Sequence, residues 1–441
     1  MVTPNLPWNL RRLGSFIPSD RSKVNDLRSN GNQQILAEKE GRNMKKLLIG
    51  LMMTVALLAG TVRTIMAQDK KEIVIGMTLC LSGRYATDVG TFDHMVKAWE
   101  NYVNNKQGGL YVKTYKKKLP IRTVIYDDKS DQATAVKFYE RLVTVDKCDL
   151  LIGPKSSPIT FPVTSVPEKY HIPIILATAN TPAIFGRGFK WLVGVNNLST
   201  AWSENYLDLL AEEKQVKTIG YVAEDTPHTR EVYEGAIPNA EKRGFKTVFQ
   251  EIAPAGTMDF TSILLKLKAA DPDVIYVSNF IPFGVTLKKQ SKEFGLKPRE
   301  WHFTHADKAF SDALGRDANH ITTEFNWLPG LPYGNLKKFH EILKEANVNP
   351  EEYMDVAFHY SPLEIAEVTI EKAESLESDD LLKSLKSVHF ESIIGPTQFE
   401  PTQGYNQFAK QLAVQYIDGK YYLVYPRKFA THSHIYPNPT P

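Results

Sequence analysis

Cysteine is nearly missing, with two in 441 residues. That excludes a disulfide-dense scaffold and a four-cysteine zinc site. Charge of one sign is also scarce: 53 basic side chains face 50 acidic ones, a net of +3. A strongly basic nucleic-acid surface is therefore excluded. Glycine and proline, 26 each, are too few for a collagen-like or broadly disordered chain. Several catalytic signatures are absent: no Gly-x-Gly-x-x-Gly follows a strand pattern, and there is no phosphate loop, no Gly-x-Ser-x-Gly elbow and no His-Glu-x-x-His. The reading is not an enzyme, and no metal or organic cofactor is implied. What is present is core material. Residues are 42% hydrophobic, and the length suits two or three domains.

The charge is unevenly placed. Residues 1–43 carry seven basic and four acidic groups, and residues 44–67 carry three basic groups and no acid. The rest holds 43 basic and 46 acidic groups, so the positive excess lies wholly in the first 67 residues. Met44 is followed by Lys45-Lys46, an apolar run from Leu47 to Ala59, and Ala67 before a polar stretch. This is a signal peptide at 44–67, with an apolar run too short for a bilayer span of about 20 residues. Residues 1–43 precede a complete export signal, so they are expected to be a non-native or disordered extension. The mature protein should be periplasmic and soluble.

Beyond the signal, short β-branched runs alternate with amphipathic stretches. Strands are expected at 73–79, 121–127, 149–153 and 172–177, with helices near 91–105, 131–146 and 159–169. The pattern restarts with strands at 218–223, 247–252, 274–278 and 301–304 and helices near 200–214, 230–243, 260–270 and 283–294. Helical patterns at 335–346, 352–376 and 379–387 follow, then a hairpin of 412–417 and 420–425 around Asp418-Gly419. Continuous apolar strands suit parallel sheets covered on both faces. The fold class is α/β, with two doubly wound parallel-sheet lobes. Residues 426–441 form a Pro-rich tail, and its His432 and His434 are expected to be exposed and disordered.

Ligands of such sheets bind outside the carboxyl ends of the strands. The loops there read Cys80-Leu81-Ser82-Gly83-Arg84-Tyr85, Gly153-Pro154-Lys155-Ser156-Ser157, Thr178-Ala179-Asn180-Thr181, Glu224-Asp225-Thr226-Pro227-His228, Asn279-Phe280 and His305-Ala306-Asp307. Hydroxyls and backbone N–H groups at helix starts recur in them, which is suitable chemistry for a carboxylate. Each loop alone could equally be an N-cap or a turn; the joint pattern carries the functional reading. Asp127-Asp128 reads as the cap of a strand rather than a metal or acid/base pair.

In this order and spacing the motifs resemble a known family. They are Ile75-Gly76…Leu81-Ser82-Gly83, Tyr126-Asp127-Asp128, Ile152-Gly153-Pro154-x-Ser156-Ser157, Ile172-Pro173…Ala177-Thr178-Ala179, Gly256-x-x-Asp259-Phe260 and Ile394-Gly395-Pro396. The family is the periplasmic substrate-binding proteins of ATP-binding-cassette importers, of the leucine/isoleucine/valine-binding type (type I periplasmic binding proteins). The resemblance spans about 73–425. It implies lobe one at 72–195 plus 329–400, lobe two at 196–328 plus 401–425, and a three-segment hinge near Val195-Asn196, Trp327-Leu328 and Glu400-Pro401. It places the carboxylate-binding serine at Ser157, with Ser156 as the alternative, and further contacts at Thr178 and Asn180. Aromatic positions of lobe two fall on His228 and Phe280. The acid that meets the ligand ammonium falls on or beside Ala306, with Asp307 one residue away.

The implied partners are a small carboxylate or amino-acid ligand and a membrane permease of an ATP-binding-cassette importer, with the binding protein itself a monomer. A ligand-sensing receptor or regulator on the same two-lobe fold is the alternative. Tyr85, Trp202 and Trp327 are further candidate walls. With alanine at position 306, one expectation is an aromatic or apolar carboxylate without an ammonium group. The other is an ordinary amino acid whose ammonium meets Asp307, Glu224 or Asp225. Cys80 ends one strand and Cys148 precedes its expected neighbour, so the sulfurs should lie roughly 15 Å apart and stay free thiols.

Overall fold

A computed structural model describes residues 70–350 and 356–439, together with Gly50 and Met52. Apart from those two, the extension 1–43 and the signal 44–67 lie outside the described residues. The first sheet is parallel and five-stranded. Its order is Ile121–Asp127, Ile73–Leu79, Leu150–Ile152, Ile174–Leu176 and Leu192–Gly194. Its strands are apolar runs because helices cover both faces; all seven residues of Ile73–Leu79 are buried. The helix Gln132–Thr144 starts where Asp131 accepts a hydrogen bond from Thr134 N–H at 2.8 Å. The helix expected near 159–169 is two, Ser157–Val163 and Ser165–Tyr170. Pro167 has no N–H to give to the carbonyl of residue 163, so the first helix cannot run on.

The second sheet has seven strands in the order Lys420–Tyr425, Leu412–Ile417, Thr322–Phe325, Glu300–Phe303, Val274–Ser278, Thr218–Asp225 and Lys246–Pro254. The last five are parallel, and the carboxyl-terminal hairpin joins antiparallel to Thr322–Phe325. In each sheet the earliest strand lies between its two successors, so a topological switch point opens beside Leu79 and another beside Asp225. Loops leaving on both sides of a switch point form a crevice at the carboxyl ends.

The chain passes between the sheets three times, through residues 195–203, 326–335 and 399–411. The first and third passages are bonded together. Gly194 N–H donates to Gly404 O at 2.9 Å, and Asn406 N–H donates to Gly194 O at 2.9 Å and Asn196 O at 3.2 Å. The middle passage sinks Trp327 and Leu331 into the core of the first sheet. Trp327 is 2% exposed and packs on Phe339, so it belongs to that core and not to a ligand wall.

The tail departs from expectation. The His434 side chain is fully buried. Its Nε2 lies 2.5 Å from Glu300 Oε2 and its Nδ1 lies 3.2 Å from Glu213 Oε1. Glu300 is itself fully buried and also accepts from Tyr206 OH (2.6 Å) and Thr322 Oγ1 (3.1 Å). Ile435 N–H donates to Gln415 Oε1 at 2.9 Å, and Asn438 N–H to Arg299 O at 2.7 Å. The tail is thus a strap across the amino-terminal ends of the second sheet. A buried carboxylate needs a cation and hydrogen bonds, and here the tail brings the cation.

Both cysteines are buried free thiols. Ile73–Leu79 and Leu150–Ile152 are parallel neighbours, which puts Cys80 and Cys148 at opposite ends. Burial, with Asp128 nearby, pushes the Cys80 thiol up to about 12. Burial does the same to Cys148, with Asp146 and Asp149 adding to it.

Candidate functional site

Two loops of the first sheet, 80–85 and 127–130, are tied edge to edge at its carboxyl end. Asp127 accepts from Ser82 N–H (3.1 Å) and Ser82 Oγ–H (2.6 Å), and Asp128 accepts from Thr78 Oγ1 at 2.6 Å. Burial alone would raise the Asp127 pKa, but the Ser82 hydroxyl and the Lys129 and Ser82 N–H groups outweigh it and lower it. The aspartate pair therefore anchors the 80–85 loop. Ser130 Oγ continues the anchor, donating to Ser82 O and accepting from Tyr85 N–H. Tyr85 is 9% exposed and carries the Arg84 guanidinium over its ring at 4.6 Å.

Next along the crevice, Ser156 adopts φ 72°, a left-handed value uncommon for serine. That turn brings its N–H to Thr178 Oγ1 at 2.9 Å. Asn180 N–H donates to Ser157 Oγ at 3.3 Å, and Ser199 N–H to Asn180 O at 2.9 Å. So Ser156, Ser157, Thr178 and Asn180 are brought together. Two atoms of this group are buried without any partner: Ser156 Oγ and Asn180 Nδ2. Asn180 is 1% exposed. Leaving a buried donor unmade costs about 1–3 kcal/mol, and such groups call for an explanation. Two donors beside the Ser157 hydroxyl suit the oxygens of a carboxylate.

The second sheet contributes rings. Trp202 stacks on His305 with centroids 5.7 Å apart and meets His228 edge-on at 5.1 Å. Phe280 lies 5.2 Å from His305 and 6.3 Å from His228. Trp202, His228 and Phe280 are therefore brought together, and His305 joins them. His305 was missed as a ring; the signal available was its place just after a strand. Asn279, fully buried, links the loops by donating from Nδ2 to Phe280 O (3.1 Å) and His305 O (3.0 Å). The following helix Ile281–Glu293 can approach because residue 284 is glycine; a Cβ there would stand 2.4 Å from Asn279 Nδ2.

The three candidate acids are engaged differently. Ala306 is 1% exposed, and the Asp307 carboxylate accepts from Ala309 N–H at 2.9 Å, capping the helix Lys308–Leu314. Asp225 is paired with Arg230 at 2.7 Å. Glu224 is 8% exposed, and its Oε2 accepts from Phe280 N–H at 2.8 Å. Burial raises the Glu224 pKa, against the opposing pull of the Phe280 N–H and the Arg84 charge. Among the described residues, no group of three or more His, Cys, Asp or Glu side chains could hold a metal ion.

Two parallel sheets with crevice loops of hydroxyls on one and rings on the other define a two-lobe solute-binding fold. The family model for periplasmic binding proteins matches residues 72–421, and the chain belongs to that family. A leucine-, isoleucine-, valine-, threonine- and alanine-binding protein of Pseudomonas aeruginosa is 25% identical over 285 residues, 63% of this chain and 74% of the relative. A Leu/Ile/Val-binding protein homologue of Brucella abortus is 23% identical over 69% of this chain and 80% of its own length. Among solved structures, a branched-chain amino-acid transporter substrate-binding protein of Streptococcus pneumoniae in complex with isoleucine superposes with a TM-score of 0.65 at 20% identity. The match covers 80% of this chain and 98% of that one. A solute-binding protein of R. palustris in complex with 4-hydroxybenzoate superposes with a TM-score of 0.63 at 18% identity, over 80% and 95% of the two chains. Among the described residues no helix is long and apolar enough to cross a membrane.

Proposed function

We propose that this chain is the solute-binding component of an ATP-binding-cassette importer. It is exported to the periplasm by the signal at 44–67 and captures a small amino acid or related carboxylate, aromatic acids included, between its two lobes. The loaded, closed form is handed to a membrane permease, and no chemistry is done on the ligand. The observation that carries this reading is the pair of buried, unpartnered groups, Ser156 Oγ and Asn180 Nδ2, beside the Ser157 hydroxyl. The ligand carboxylate docks there first. Trp202, His228, His305 and Phe280 then close over its body, adding contacts that exist only in the closed state, as a ligand-driven closure requires.

The relatives that bind branched-chain amino acids, and the solved structure holding 4-hydroxybenzoate, support both ends of the ligand range. A thermal-shift screen of amino acids and aromatic acids tests it. A ligand at 100 times its Kd should stabilise the fold by about 2.7 kcal/mol. A screen in which amines and sugars raise Tm but no carboxylate does would sink the reading.

A further inference from the structure

The crevice acid supplied elsewhere in such folds by the loop at 305–307 is missing here, since residue 306 is alanine and Asp307 is spent as a helix cap. Asp225 is held by Arg230. One buried carboxylate is left at this end of the second sheet's crevice with an oxygen to spare. Glu224 closes the strand Thr218–Asp225 and reaches across to the neighbouring loop. There Phe280 N–H fixes Oε2, while Oε1 has no hydrogen-bond partner among the described residues. Phe280 is one of the four rings, so the Glu224 carboxylate is pinned to the backbone of the aromatic wall itself. The cation whose field reaches it is Arg84, on the facing loop of the first sheet beside Tyr85. Glu224 therefore sits at the crevice end of its strand, against the loop that carries Phe280. A mostly buried carboxylate with a spare oxygen is a ready acceptor for a donor that enters the crevice.

We infer that Glu224 is the specificity-determining residue of the second lobe: it receives the hydrogen-bond-donating group, ammonium or hydroxyl, that the ligand carries apart from its carboxylate. The inference rests on the proposed carboxylate-binding role of the first lobe. An ammonium would make a charge-assisted bond to Glu224, and a hydroxyl would donate to the same oxygen. A plain monocarboxylate would bring no donor to Oε1.

Calorimetry with matched pairs reads this directly. The probes are L-phenylalanine against 3-phenylpropanoate, and 4-hydroxybenzoate against benzoate, each titrated into the wild type and Glu224→Gln. In the wild type, the donor-bearing member of one pair should bind about 10- to 100-fold more tightly, the range expected for a hydrogen bond to a charged group. The pair showing the preference identifies the donor as ammonium or hydroxyl. Glu224→Gln keeps an oxygen for the Phe280 N–H and should lose most of that preference, with Tm little changed. Glu224→Asp, which keeps the charge but shortens the reach, is the second variant and should reduce the preference. Retention of the preference by both variants, or tighter binding of the donor-free acids by the wild type, overturns the inference. Binding of carboxylates without any preference between partners overturns Glu224 alone. Failure of every carboxylate to bind the folded wild type overturns the first-lobe reading with it.

Discussion

The two ends of the second lobe's sheet treat buried polar groups in opposite ways. At the amino-terminal end, Glu300 has both oxygens engaged and His434 has both ring nitrogens engaged, although the two residues are separated by more than a hundred positions. At the carboxyl end, and on the facing loops of the first sheet, Asn279 Oδ1, Trp202 Nε1, Ser156 Oγ and Asn180 Nδ2 are buried with no partner. An unpaired buried group costs stability wherever it sits. The comparison teaches a narrower point: the strap pairs its own buried charges, Glu300 and His434, whereas the crevice loops hold donors and acceptors that a ligand can still pair.

The sharpest way to break the contrast is at the strap. His434→Ala leaves the Glu300 carboxylate buried with its cation gone. Removing one partner of a buried pair costs about 3–5 kcal/mol, which denaturant unfolding will register as a lower midpoint. Truncation after Ala430 should cost at least as much. A loss below about 1 kcal/mol in both variants would mean that the strap is ornamental.

Next in size is Ser157→Ala at the crevice. It should weaken carboxylate binding by about 1.5–3 kcal/mol, or roughly 10- to 150-fold, while unfolding of the ligand-free protein stays close to wild type. Unchanged affinity by calorimetry would move the carboxylate to Ser156.

The strap also predicts a pH dependence. Burial works against the His434 imidazolium, but the Glu300 and Glu213 carboxylates outweigh it and hold its pKa above the ordinary 6.5. The groups facing the ring are Glu213 at the end of the helix Glu204–Glu212, Glu300 on its strand, Tyr436 on the strap and Arg427, which lies 3.8 Å from Glu213. A raised folded pKa gives stability that is fully present below the unfolded value. It is lost as pH rises through the folded value, by up to about 1.4 kcal/mol per pH unit between the two. Unfolding measured from pH 5.5 to 9 should therefore show a fall on the alkaline side that His434→Gln flattens. Parallel curves for the two proteins would contradict it.

The smallest effect is also the most diagnostic of the comparison. Asn180→Ala removes an unpartnered buried donor. It should change ligand-free stability by less than about 1 kcal/mol, because the lost packing is offset by the removed desolvation cost, and yet weaken binding. A large loss of stability would show that Asn180 already has a structural partner.

How much of this was legible depended on what each residue touches. Ile73–Leu79, Ile121–Asp127, Val274–Ser278 and the hairpin Leu412–Ile417 with Lys420–Tyr425 were readable to the residue, because apolar runs bounded by turn residues carry their own signal. The strands Leu192–Gly194 and Thr322–Phe325 were not. The first has three residues. The second reads Thr-Thr-Glu-Phe, which looks like a solvated loop until Glu300, His302, Ser203 and Gln415 are placed around it. The strap failed for the same reason: nothing local in a Pro-rich tail announces a partner at residue 300. In the crevice, the rule that loops at strand ends bind ligands picked out the loops, and the family resemblance placed Ser156, Ser157, Thr178, Asn180, His228 and Phe280 in them. Asp307 was chosen for its neighbourhood, where its own helix start claims it. Glu224 was one candidate of three until its bond to Phe280 separated it from the others.

The paired passages between the lobes bear on how this protein moves. Three independent tethers would let one lobe tilt, slide and twist against the other. Here residues 194–196 and 404–406 are laced together by backbone hydrogen bonds, so two of the tethers form a single ribbon. The middle passage is anchored apart from it by Trp327 and Leu331. Two attachment lines define one axis of rotation, like the two leaves of a door hinge. Opening about that axis keeps the ribbon's bonds, whereas shear or twist would pull Asn406 N–H off its carbonyls. For the proposed capture, this pairing predicts opening along a single angle rather than shear.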